Sequence, residues 1–173
     1  HYLLYRIACQ LATMYAYHGI ADRAMDLYKE TLRYAVKTQD SGLIALGHSY
    51  IGRVYGMKKD WANASIWYEK GLAISQKAKR KGSRHKILQE YIGICNNYHL
   101  YEKADSIITV LNADPNFEKN APYYLCVGNY YRHKKDTARA VPFLQQALTM
   151  EGNLYTKKVA CKSLSYLYDS FGQ

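Results

Sequence analysis

The stretch Ala24-Met25-Asp26-Leu27-Tyr28 recurs later in the chain as Ala64-Ser65-Ile66-Trp67-Tyr68. Each copy begins nine residues after a tyrosine, Tyr15 in the first and Tyr55 in the second. The spacing between the two alanines is 40 residues. Repetition at such a period predicts stacked helical units, each of which buries its apolar face against its neighbours. It favours a binding scaffold over an enzyme.

The repeat extends over the whole chain as columns of equivalent residues. The alanine column is Ala24, Ala64, Ala104 and Ala140, with spacings of 40, 40 and 36 residues. The tyrosine column is Tyr15, Tyr55, Cys95, Tyr131 and Tyr168. Pairs of an apolar residue and a second, usually small residue precede it: Leu11-Ala12, Ile51-Gly52, Tyr91-Ile92, Val127-Gly128 and Leu164-Ser165. Small residues let two helices approach closely, and the column Tyr28, Tyr68, Ile108 and Leu144 fills the space between them.

Turn residues divide the units into helical hairpins. Gly19, Asp60 and Asp136 each lie where one helix ends or the next begins, as glycine C-caps and aspartate N-caps do. The pattern predicts four hairpins and one unpaired helix. The predicted helices are 2–17, 21–38, 41–57, 61–79, 84–97, 101–112, 121–133, 137–149 and 153–170.

The motifs Leu11-Ala12-x-x-Tyr15 and Ala24-x-x-x-Tyr28, with their copies, resemble the tetratricopeptide repeat (TPR). The resemblance implies an all-α, right-handed superhelical solenoid with one domain over residues 1–173. The expected repeats are about 2–38, 41–79, 84–113 and 121–150, with a partial repeat at 153–173. The usual period is ~34 residues, so the longer spacing resembles arrays of bacterial regulators and sensors. The third unit departs most, with Ile92 and Cys95 in place of a small residue and a tyrosine.

Composition sets broad limits. The 173 residues include 24 Lys and Arg, 14 Asp and Glu and only 3 Pro, and 49% are hydrophobic. This predicts an ordered helical protein with a net charge of +10, which attracts acidic partners in general. No apolar stretch approaches the ~20 residues of a membrane span. The chain begins with His1, and we expect a fragment of a longer polypeptide. The four cysteines are widely spaced, and we interpret them as packing residues: Cys9, Cys95, Cys126 and Cys161. Reduced thiols favour a cytoplasmic location for this part of the protein.

In the TPR family the first helix of each hairpin lines a concave groove, and the resemblance implies a set of ligand contacts here. They combine cations and amides, which suit an extended acidic peptide or a terminal carboxylate. The alternative is that these side chains only keep the chain soluble. The predicted contacts are Arg6, Thr13, Tyr17, Arg53, Met57, Lys86, Gln89, Asn96, Asn97, Asn129, Arg132, His133, Lys162 and Tyr166.

Several narrower readings are disfavoured. The chaperone-binding members of the family use a Lys and Asn pair, which none of the matching pairs here contains, from Cys9/Thr13 to Lys162/Tyr166. Tyr17, Met57 and Tyr166 are each open to a role in core packing instead of ligand contact. The basic run from Lys77 to Lys86 suits nucleic acid or anionic lipid, but we favour a solvated helix end, because no aromatic residues interleave the run.

Motifs of catalysis or metal binding are absent from the sequence. It contains no His-Glu-x-x-His, glycine-rich phosphate loop or Gly-x-Ser-x-Gly. We therefore predict no enzyme activity, no cofactor and no metal site. The leading hypothesis is a peptide-binding or protein-binding module, with a signalling or regulatory role by analogy with bacterial regulators. The alternatives are nucleic-acid binding and a structural module that packs on other domains or self-associates through its last helix, where we expect partly uncovered side chains: Leu164, Leu167, Tyr168 and Phe171.

Overall fold

The computed structural model describes residues 2–78, 82–151 and 154–169, and over these ranges the secondary structure is entirely α-helical. The all-α prediction is confirmed, and the predicted helix bounds agree closely with the observed ones. The helices are α1 Tyr2–Tyr17, α2 Ala21–Lys37, α3 Ser41–Met57, α4 Trp61–Ser75, α5 Gly82–Asn97, α6 Tyr101–Ala113, α7 Ala121–His133, α8 Thr137–Thr149 and α9 Leu154–Asp169.

The largest difference from prediction is the end of α4, which was expected at residue 79 and lies at Ser75. The Ser75 hydroxyl donates to the carbonyl of Leu72 over 2.7 Å. The next amides, of Lys77 and Ala78, donate to carbonyls only three residues back, so the chain tightens into a turn. Residues 79–81, which complete the connection to α5, lie outside the described ranges.

The chain divides into two compact units, His1–Ile87 and Leu88–Gln173, with the boundary inside α5. In unit 1, α1 packs on α2, α2 on α3, and α3 on α4. In unit 2, α7 packs on α8 and α9, α8 packs on α9, and α6 contacts α7. The pairs α1 and α2, α3 and α4, and α7 and α8 each form a hairpin, as the repeat predicts.

The predicted packing columns form the cores of both units. Every member of the alanine column is fully buried: Ala24, Ala64, Ala104 and Ala140. The filler column is buried as well: Tyr28, Tyr68, Ile108 and Leu144. Ile92 is also fully buried, so the third hairpin accommodates the larger side chain. Burial of these apolar side chains is the main force that stabilises each hairpin.

The last helix is more closely packed than expected. Leu164 and Leu167 are buried because they join Ala140 and Leu144 of α8 in one apolar cluster. The expectation that these two leucines are partly uncovered is therefore wrong. Tyr168 is exposed, since the described chain contains no helix after α9 that would cover it. Phe171 and Gly172 lie outside the described residues.

The turn inside each hairpin has the same geometry in all four. Its central residue adopts a positive φ, and its amide donates to the carbonyl three residues back, while the next amide donates to the carbonyl five residues back. This is the Schellman C-cap, in which the carbonyl five residues back belongs to the tyrosine column. Only the first turn uses glycine; the four residues are Gly19, Lys59, His99 and Lys135.

Replacing Lys135 by glycine is expected to stabilise unit 2 by about 0.5–1 kcal/mol, because a residue with a Cβ is strained in the left-handed region. Lys135 has a φ of 60°. Urea denaturation followed by circular dichroism measures the change. The matched control is Ala138→Gly on the exposed face of α8, which should lose about 1 kcal/mol. Equal destabilisation by both changes would contradict the prediction.

Candidate ligand-binding surface

The first helices of the hairpins carry a larger net positive charge than the second helices. Helices α1, α3, α5, α7 and α9 carry eight Lys or Arg and two acidic residues, whereas α2, α4, α6 and α8 carry seven and six. The second helices are thus nearly neutral, and the first helices are basic. The charge of the chain therefore follows the repeat, on the helices that the TPR resemblance assigns to ligand binding.

In unit 1 two buried tyrosines support the arginine of α3. The rings of Tyr28 and Tyr50 stack with centroids 5.0 Å apart. The guanidinium carbon of Arg53 lies 5.0 Å from the Tyr50 centroid and 5.7 Å from the Tyr28 centroid. A planar guanidinium near aromatic faces is held by cation–π attraction while it keeps its charge. Arg53 is half-buried and fixed in position.

Two further predicted contacts meet the same tyrosines. The Thr13 hydroxyl lies 2.9 Å from the Tyr28 hydroxyl and donates to the carbonyl of Cys9 over 2.7 Å. Because a hydroxyl has one hydrogen, Tyr28 donates to Thr13. The ammonium of Lys86 donates to the Tyr50 hydroxyl over 2.7 Å. The structure thus brings together Thr13, Arg53 and Lys86.

The other predicted contacts of unit 1 lie on α1 and at the end of α3. Arg6 and Tyr17 are exposed on α1. Met57 is half-buried and packs against the apolar core that contains Tyr28 and Val54. The alternative reading of Met57 as a packing residue therefore fits its position.

In unit 2 a chain of hydrogen bonds links α9 to α7. The Ser163 hydroxyl donates to Oδ1 of Asn129 over 2.7 Å, and Nε of Arg132 donates to the same oxygen over 3.0 Å. Nη2 of Arg132 lies 2.9 Å from Nε2 of His133. Since arginine only donates, Nε2 accepts, and His133 is neutral in this arrangement. Three predicted contacts, Asn129, Arg132 and His133, therefore form one network.

His133 contacts two residues where α5 is joined to α6, His99 in the turn and Tyr101 at the start of α6. The Tyr101 hydroxyl donates to the carbonyl of His133 over 3.1 Å and lies 2.6 Å from Nδ1 of His99. The rings of His99 and His133 meet edge-on, with centroids 5.9 Å apart. Burial lowers the pKa of His133, and the charges of Arg132 and His99 lower it further. Both causes favour the neutral imidazole that accepts from Arg132.

Two predicted contacts on α9 flank this network. Lys162 and Tyr166 are exposed, and the Lys162 ammonium lies 5.8 Å from the Tyr166 ring centroid. Burial lowers the pKa of Arg132, and an electrostatic interaction with Tyr166 acts in the opposite direction. Tyr166 is therefore close enough to Arg132 to interact with it electrostatically.

The predicted amides of α5 lie mostly inside unit 2. Gln89 is 7% exposed and Asn96 is 2% exposed. Nε2 of Gln89 donates to Oδ1 of Asn120 over 3.2 Å, and Nδ2 of Asn96 donates to the carbonyl of Cys126 over 3.0 Å. These two amides bind the N-cap and backbone of α7, whereas Asn97 is exposed. Gln89 and Asn96 consequently form no part of the surface proposed below.

The basic run between α4 and α5 is described only in part. Lys79, Arg80 and Lys81 lie outside the described residues, while Lys86 is bonded to Tyr50 as given above. None of the described helices is long and apolar enough to cross a membrane. No group of three or more His, Cys, Asp or Glu residues that could hold a metal ion occurs in ranges 2–78, 82–151 and 154–169.

Two solved structures share this fold. A putative kinesin light chain from Podospora anserina, described as having nearly identical TPR-like repeats, is 18% identical with a TM-score of 0.63, and the match covers 100% of this chain and 89% of that chain. BtubC (BKLC) from P. vanneervenii is 15% identical with a TM-score of 0.59, covering 87% of this chain and 67% of that chain. No protein-family model and no curated protein matches the sequence. The likeness confirms the TPR-type helical-repeat fold.

Proposed function

We propose that this TPR-type chain is a non-catalytic scaffold that binds an extended acidic segment of a protein on its first helices. The observation that carries the proposal is the charge distribution: eight basic and two acidic residues on the first helices, against seven and six on the second. A surface with an excess of one charge attracts and orients a ligand of the opposite charge.

Arg53 is the central proposed contact in unit 1, and Arg132 is the central proposed contact in unit 2. Arg53 is held against Tyr28 and Tyr50, and Arg132 is held by Asn129 and His133. A guanidinium that is already fixed loses less conformational entropy when it binds a carboxylate. Arg6, Lys86 and Lys162 add positive charge on the same set of helices.

The clusters supply hydrogen-bond donors and cations rather than a nucleophile beside a base. The Ser163 hydroxyl donates to the Asn129 amide, and His133 accepts from Arg132 instead of from a hydroxyl. An activated nucleophile requires a base within hydrogen-bond reach. This chemistry supports binding without catalysis.

The proposal extends to a regulatory role. Long-period arrays resemble the ligand-sensing halves of bacterial regulators and sensors. A peptide-binding face would allow this chain to act as a ligand-sensing domain of that kind. Self-association through the last helix stays a prediction.

The test is fluorescence anisotropy with a labelled ten-residue polyglutamate peptide. Arg53→Ala and Arg132→Ala are each expected to weaken binding about tenfold, because each removes a charge-assisted contact of about 1.5 kcal/mol. The matched control is Lys29→Ala, which removes one exposed positive charge from the second helix α2. It should change the affinity less than twofold at 0.15 M salt.

Two outcomes would contradict the proposal. One is the absence of measurable peptide binding to the unaltered chain. The other is an equal loss of affinity in Lys29→Ala and Arg53→Ala, which would show that net charge alone attracts the peptide.

A further inference from the structure

We infer that unit 2 contains a carboxylate-binding site whose anchor is Arg132 and whose positioning residue is Ser163, acting through Asn129. The inference rests on the proposed function and specifies the chemical group that one part of the surface takes. Ser163 was not among the predicted contacts, and its role follows from the bonds that join α9 to α7.

The guanidinium of Arg132 has donors left for a ligand. Arginine carries five N–H groups, of which one on Nε binds Asn129 and one on Nη2 binds His133. The remaining groups, including both on Nη1, have no acceptor among the described residues. The two N–H groups on Nη1 and the second one on Nη2 therefore remain to bind the oxygens of a carboxylate.

Arg132 is a partly buried charge without an acidic partner in the described part of the chain. The ion pairs recorded there use the carboxylates of Asp22, Asp105 and Asp136, and Arg132 belongs to none of them. Burial disfavours its charge, as the lowered pKa shows. Removing a cation from water is costly unless an anion compensates it. A bound carboxylate would supply that compensation.

Ser163 fixes the orientation of the network. Ser163 is only 5% exposed, so the serine itself does not contact the ligand. Oδ1 of Asn129 accepts from both Ser163 and Arg132, which occupies its two lone pairs, and the Nδ2 amide group can only donate. The serine therefore helps to hold the Asn129 amide in the rotation at which Oδ1 accepts Nε of Arg132.

The surroundings favour an anion over a cation or an uncharged group. Lys162 adds an ammonium and Tyr166 a hydroxyl on the exposed face of α9. Nη1 of Arg132 and Nδ2 of Asn129 are donors as well, so the polar groups that α7 and α9 contribute here are mostly donors. Such a set binds oxygen atoms that carry negative charge.

The probe is glutarate, a dicarboxylate that reproduces the glutamate side chain, titrated into the full chain and followed by ¹H–¹⁵N NMR. We expect saturable shifts at Nε of Arg132 and Nδ2 of Asn129, and none with the uncharged analogue glutaramide. Equal shifts with both compounds, or no shift with glutarate, would overturn the site.

The positioning role is tested by a double-mutant cycle. Ser163→Ala is expected to weaken glutarate binding about fivefold, the effect of one modest hydrogen bond. In an Arg132→Gln background the same change should have no further effect. The matched control, Ser165→Ala, alters an exposed serine two residues away on α9 and should leave the affinity unchanged. Additive losses from Ser163→Ala and Arg132→Gln would overturn the positioning role.

The two proposals fail in different ways. Binding of polyglutamate without a glutarate shift at Arg132 would overturn the anchor and leave the scaffold. A glutarate shift at Arg132 without binding of polyglutamate would support the anchor and overturn the peptide-binding function.

Discussion

Tyr28→Ala is expected to destabilise unit 1 by about 3–5 kcal/mol, the usual cost of removing a fully buried aromatic side chain. Tyr28 has no exposed surface, and its ring packs on Tyr50 between α2 and α3. The loss combines reduced apolar burial with a cavity that the surrounding helices fill only partly. Urea denaturation, with hydrogen exchange to assign the change to unit 1, measures it.

Two companion variants separate the contributions of the tyrosine. Tyr28→Phe retains the ring and removes the hydrogen bond to Thr13, so we expect a loss of only about 1 kcal/mol. Tyr17→Ala removes a tyrosine that is 49% exposed on α1, and its cost should stay below about 1 kcal/mol. Similar losses from Tyr17→Ala and Tyr28→Ala would contradict the assignment of the filler column.

The sequence was sufficient to predict the packing inside each hairpin. Close approach of two helices requires a small residue at a fixed position in every unit, so Ala24 and its equivalents recur and reveal the period. The shorter spacing before Ala140 has a visible cause in helix length, because α6 and α7 have 13 residues each whereas α2 and α3 have 17 each. Such regularities are local and can be read from one chain.

The interactions between neighbouring hairpins were not readable in the same way. Gln89 and Asn96 occupy columns assigned to the ligand, yet their amides bind Asn120 and the backbone at Cys126. A buried polar group takes whichever partner lies within reach, and that depends on how closely two particular helices pack. A column of equivalent residues describes what the units share, so it does not reveal differences in helix packing between individual units.

Tyr50 and Ser163 show what the column approach missed. They occupy equivalent positions in the repeat. Tyr50 follows Ser49 and Ser163 follows Lys162, and Ser49 and Lys162 belong to the same column of groove positions. In the structure each supports an arginine, Tyr50 directly and Ser163 through Asn129. The available signal was an aromatic residue three positions before an arginine on the same helix, as for Tyr50 and Arg53.

Gly128→Ala is expected to destabilise unit 2 by about 2–3 kcal/mol, even though alanine favours helices, because overpacking exceeds that gain. A Cβ at Gly128 would lie 2.8 Å from Cγ of Leu144 and 3.1 Å from its backbone nitrogen. Neither atom is the end of a flexible chain, so α7 and α8 must separate. The separation loosens the cluster that Leu144 forms with Leu164 and Leu167.

Gly93→Ala provides the matched control, since it makes the same substitution in a helix of the same unit. A Cβ at Gly93 meets nothing within 4 Å, so only the conformational effect of glycine remains. That effect should stabilise unit 2 by about 0.5–1 kcal/mol. The two substitutions thus have opposite signs, and urea denaturation of both variants measures the difference. Equal effects would show that the close approach of α7 and α8 at Gly128 does not limit stability.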